Sequence, residues 1–145
     1  MKCKSDNLQF LYEYWNAKKG SRRAPARSDI DPLDFAKILP CILMYDVLRD
    51  PLDFRMRLYG THLVNVSGHE FTGKMLNEIF PDDVEFKFRK ELTNICETFE
   101  PSLASYDGKW LNKDYVSYER LMLPLSEDDE DVNILLGCVI YSFEG

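Results

Sequence analysis

The sequence predicts an α+β fold built on a single antiparallel sheet, and three observations carry that expectation. Strand-like segments fall in two blocks, near 41–60 and 102–143, with helical segments before and between them. Neighbouring strands within each block are joined by short turn signals: Asp50-Pro51, Asp107-Gly108 and the acidic loop Glu127–Asp131. The last run, VNILLGCVIYSF, is apolar on both parities, which marks a central strand covered on both faces. The 145 residues fit one domain spanning 1–145, and 45% hydrophobic with 13% aromatic residues is enough to build a core.

Leu8, Leu11, Tyr12 and Trp15 recur at i, i+3, i+4, i+7 and lay an apolar stripe on a helix over 8–19; Ser5, Asp6 or Asn7 can cap it and Gly20 ends it. Asp31-Pro32 is an N-cap followed by a first-turn proline, Asp34 supplies first-turn negative charge, and Pro40 closes that short helix near Leu39. The continuous apolar run CILMYDVL predicts a strand at 41–48. FRMRLYG predicts its partner at 54–60, with Phe54, Met56 and Leu58 facing a core and Arg55, Arg57 and Tyr59 facing out. Residues 61–81 read as two brief helices separated by the Phe71-Thr72-Gly73 turn and stopped by Gly68 and Pro81. A longer helix begins at Asp82 or Asp83 and carries Val84, Phe88, Leu92, Ile95, Cys96 and Phe99 at helical spacing to just before Pro101. Strands near 102–108, 114–125 and 132–143 complete a set of five.

The net charge of −7 repels phosphate backbones and anionic membrane surfaces, so neither nucleic acid nor membrane is expected as a partner. Lys18, Lys19, Arg22, Arg23 and Arg27 form a basic cluster, read as a solvated group at the negative end of the first helix. Cys3, Cys41, Cys96 and Cys138 are far apart, without a C-x-x-C pair for zinc or dithiol chemistry. The N-terminus MKCKSDN lacks the apolar run of a signal peptide, and no segment approaches the roughly 18 apolar residues of a membrane span. A reduced, cytoplasmic protein is expected.

Several stretches sharpen the fold. YWNAKKGSRRAPARSDIDPLDFAKILP, FRMRLYGTHLVNVSGHEFTGK and YERLMLPLSEDD resemble the single-domain PAS proteins of the group called PAS_5, found mainly in alphaproteobacteria. The likeness runs from about Leu8 to Tyr141; ARSDIDP is its more specific part, and the Phe-Thr-Gly turn is shared by most PAS domains. The resemblance implies a five-stranded antiparallel sheet in the order 2-1-5-4-3, with short helices closing a cavity over one face. It implies binding of a small ligand or a protein partner in signal transduction, and often dimerisation through a helix preceding the first strand, here residues 8–19. With no effector domain expected on the chain, output would pass through another polypeptide.

Nothing in the sequence assembles a catalytic site. His62 and His69 are the only histidines and stand outside any G-x-S-x-G or H-E-x-x-H motif, so no enzyme is expected. GHEFTGKM fails as a phosphate loop because Met75 stands where the magnesium-binding hydroxyl belongs, leaving Gly73 as a turn residue with Lys74 exposed. SEDDEDV lacks the glycine and spaced glutamate of a calcium loop, and no metal is expected. Haem needs an axial ligand, and Lys74 to Phe80 contains no histidine; no N-C-R-F-L-Q-like flavin segment exists. No cofactor is expected, a haem or other cofactor sensor and a small-metabolite enzyme being the alternatives. The expected cavity is lined by Met56, Leu58, Phe71, Met75, Ile79, Phe88, Met122 and Cys138, with Tyr118 and Arg120 as polar members. Leu8, Leu11, Tyr12 and Trp15 are the expected homodimer or partner contact, because an apolar stripe needs a cover.

Overall fold

The computed structural model describes every residue except 112, 114, 144 and 145. Strands β1 (Ile42–Leu48), β2 (Asp53–Tyr59), β3 (Ser102–Asp107), β4 (Val116–Leu125) and β5 (Ile134–Phe143) form one antiparallel sheet in the order β2-β1-β5-β4-β3, as the resemblance implied. The expected start of the fourth strand at 114 lies outside the described residues. β5 is central, and Ile134 to Val139 are buried on both parities, as the unbroken apolar run predicted.

One face of the sheet is covered by the N-terminal segment. Helix α1 (Asp6–Lys19) starts at Ser5, whose hydroxyl accepts from the Leu8 amide, and ends at Gly20 in positive φ. Arg22 donates to the Lys18 and Lys19 carbonyls at its C-terminal end and pairs with Asp29 at 2.8 Å, so part of the basic cluster caps the helix. Leu8, Leu11 and Trp15 are buried against the chain's own sheet, and the Trp15 indole donates to the Pro124 carbonyl of β4 at 2.8 Å. The stripe proposed as a partner contact is therefore already covered; of its four residues only Tyr12 stays partly exposed. Two 3-10 segments, Arg27–Asp29 and Pro32–Cys41, follow. Asp31 caps the second by accepting from the Leu33 amide at 3.0 Å, as predicted. Pro40 lies inside that segment rather than ending it, and Arg27 donates to the Ile30 carbonyl.

The other face carries α2 (Thr61–Ser67), α3 (Leu76–Ile79) and α4 (Asp82–Thr98), with Gly68 and Phe99 ending α2 and α4 in the left-handed region. Gly73, also at positive φ, turns the chain so that its amide and that of Met56 exchange bonds with the carbonyls of Met56 and Lys74. Phe88, Leu92 and Ile95 form the buried face of α4.

The β1–β2 ladder corrects one expectation. Met44 pairs with Leu58 but the next residue, Tyr45, pairs with Met56, so Arg57 is an extra residue in β2. Such a bulge reverses side-chain parity beyond it. Phe54 and Met56 point inward as predicted, whereas Leu58 is 38% exposed and Tyr59 turns in.

Candidate functional site

Beneath α2, α3 and α4 the sheet lines a small cavity of about 30 Å³. Its floor comes from Leu43 and Tyr45 of β1, Met56 and Tyr59 of β2, Tyr118 and Arg120 of β4, and Val139 and Tyr141 of β5; its roof comes from Leu63, Phe71, Ile79, Phe80, Phe88 and Trp110. The interior is mostly filled: a space of this size holds roughly one or two waters. Aromatic rings do most of the filling, with Phe80 edge-on to Phe88 at 4.7 Å and to Trp110 at 4.9 Å.

Six of the ten predicted lining residues meet here: Met56, Phe71, Ile79, Phe88, Tyr118 and Arg120. Leu58 is turned away by the bulge. Cys138 pairs with Leu121 in the β4–β5 ladder, one position out of phase with Arg120 and Val139, and so sits on the α1 face. Met122 shares the cavity face but packs beside Gly137, where a Cβ would stand 2.5 Å from the methionine sulfur; it lines no part of the space. Met75 is the N-cap residue of α3 and is likewise outside the lining.

The polar centre is Arg120, only 3% exposed, whose Nη2 is bonded to Glu91 Oε1 of α4. Glu91 is also held by Ser102 Oγ, which donates to Oε2 at 2.6 Å, and by the Tyr106 hydroxyl at 3.1 Å. The guanidinium lies over the Phe88 ring, 4.1 Å from its centroid. Glu91 meets the guanidinium at Nη2 alone rather than at both donors of one edge, and among the described residues Arg120 Nε has no hydrogen-bond partner. Burial opposes the Arg120 charge, but the Glu91 carboxylate beside it overcomes this and holds its pKa above the ordinary value.

Burial likewise pushes up the hydroxyls of Tyr45, Tyr59, Tyr118 and Tyr141, keeping them neutral donors. The interior is thus rich in donors, while Glu91, the carboxylate among them, is already engaged. Trp110 closes it from the loop after β3: its indole donates to the Tyr118 hydroxyl at 3.0 Å. The same residue borders two open surface grooves, one of about 680 Å³ between α4 and β3 and one of about 390 Å³ beside α2 and α3.

Sequence reasoning missed Glu91, although a signal existed: it lies three residues after Phe88, on the side of the helix that goes inward, where a lone acid calls for a buried partner. Trp110 carried no such signal, since its role depends on where a loop folds back. Neither histidine reaches the lining: the His62 ring meets Tyr141 edge-on, and the His69 ring stacks on Phe71 at 5.7 Å. Among the described residues no cluster of three potential metal ligands occurs, and no helix is long and apolar enough to cross a membrane.

A five-stranded antiparallel sheet in this order, with short helices and one long helix over one face and a further helix preceding the first strand, defines a PAS domain, a class of sensory and interaction modules. The chain matches the model of the PAS_5 family, a PAS domain, over residues 1–140, and it belongs to that family. A search of curated proteins found no match.

Proposed function

We propose that this PAS domain is a non-catalytic regulatory module that signals by binding a small ligand in its interior, the signal passing to α4 through Arg120 and Glu91. One observation supports this above the others: among the described residues the most deeply buried ion pair between the sheet and its helical cover stands beside a cavity, with one donor left free. A ligand that engages Arg120 changes what Glu91 holds, and α4 is the element whose position then shifts. The small volume and the placement of His62 and His69 favour a module that works without haem. A protein partner, including a second copy of the chain, is the recipient of the signal rather than the cover for α1.

A thermal-shift screen of small metabolites, followed by recovery of each stabilising compound, tests the reading. Saturable stabilisation with the compound returned unchanged is expected. Steady consumption of a stabilising compound would make the domain an enzyme and overturn the proposal.

A further inference from the structure

One side chain borders the cavity and both surface grooves at once, while Phe88 separates the cavity from the first groove and Phe71 and Ile79 from the second. Trp110 lines all three spaces, is only partly buried, and is held by a hydrogen bond to Tyr118 and an edge-on contact with Phe80. Behind it stands Arg120 with an unpartnered Nε. Turning the indole outward adds the volume the ring vacates to the cavity of about 30 Å³ and widens its passage to the grooves outside. The opened space is bounded by flat rings and by donors, so it suits a flat molecule that brings an acceptor.

We propose that Trp110 is a removable plug, and that the interior takes a small aromatic compound whose carbonyl or carboxylate oxygen accepts from Arg120 Nε while its ring replaces the indole against Phe80. This deepens the binding reading above and rests on it. The indole occupies the site as an internal competitor: any molecule that enters must match its contacts to Phe80 and Tyr118 and adds the bond at Nε that the indole cannot reach. A buried guanidinium donor left without an acceptor is costly, so an oxygen placed there restores a bond otherwise missing. The carbonyl and the carboxylate share the acceptor geometry and differ in charge, and because Glu91 already neutralises Arg120 a neutral amide fits at least as well as an anion.

Benzamide and benzoate serve as the neutral and charged probes, read by proton–nitrogen spectra of the Arg120 Nε–H and the Trp110 indole N–H, the first assigned from R120K and the second from W110F. Saturable shifts of both resonances at millimolar probe are expected. W110A, in which the plug is absent, is expected to bind about tenfold more tightly, since the closed state no longer competes. Should W110A lose its folded spectrum, W110F, which drops the latch hydrogen bond and leaves the Tyr118 hydroxyl to the ligand, takes its place with a smaller gain in the same direction. Failure of both probes to move the Arg120 Nε–H, in the wild-type protein and in the opened variant alike, overturns the proposal. Binding that moves other resonances but leaves that one in place does so too. If the metabolite screen meanwhile yields a ligand of another class, the aromatic assignment falls and the binding role stands.

Discussion

At Arg120 a full positive charge sits almost out of water, and its tolerance depends on Glu91. Removing one partner of a buried pair strands the other, so E91Q is expected to cost about 3–5 kcal/mol in urea denaturation, whereas E91M/R120M, which replaces both by apolar chains, is expected to lie near the wild type. Equal losses in the two variants would contradict this account of the pair. The bulge at Arg57 gives a second test at this scale: M56A is expected to cost about 2–5 kcal/mol as a core truncation, and L58S to stay within about 0.5 kcal/mol. An alternating strand without the bulge would make both changes costly. Period-two patterning identified β2 correctly from the sequence, but nothing in FRMRLYG announces an extra residue, since a bulge is a property of two strands pairing and only one of them is being read.

Helix α1 shows how an element can be read correctly and its partner misjudged. Its boundaries, its cap at Ser5 and its apolar stripe follow from spacing and capping chemistry; whether that stripe meets another chain or its own sheet is a tertiary matter on which periodicity is silent. Here the sheet face carrying Leu121, Leu123, Leu136 and Cys138 supplies the cover. Deleting residues 1–20 is therefore expected to expose that face and to yield a chain that aggregates or loses cooperative unfolding, measured by light scattering and circular dichroism. A truncated chain that stays folded and monodisperse would show the helix to be dispensable to the core, returning it to the role of an intermolecular contact. The family order of helices and strands was legible because turns, caps and stop signals punctuate it; the loop holding Trp110 was not, because its position depends on contacts with Phe80 and Tyr118 that lie far off in sequence or on another strand.

For the molecule as a whole, an interior built of buried hydroxyls and thiols leaves a signature in alkali. Burial raises the Cys96 thiol from 9.0 to about 11 and the Tyr106 hydroxyl from 10.0 to about 12. Both groups prefer their protonated forms in the folded state, so the stability they contribute is complete below pH 9 and is lost as pH climbs through 12. The melting temperature is expected to fall across that interval, and Y106F to flatten the part of the decline above pH 10; a melting temperature unchanged from pH 9 to 12 would contradict the burial of these groups. The account as a whole rests on the interior being tied to α4 through Arg120 and Glu91, and amide hydrogen exchange of wild type and E91Q reads that tie directly. Residues 82–98 are expected to lose protection in E91Q by a larger factor than β4 and β5 do. Protection lost uniformly over the chain, or not at all in α4, would show that nothing sensed in the interior is passed to that helix.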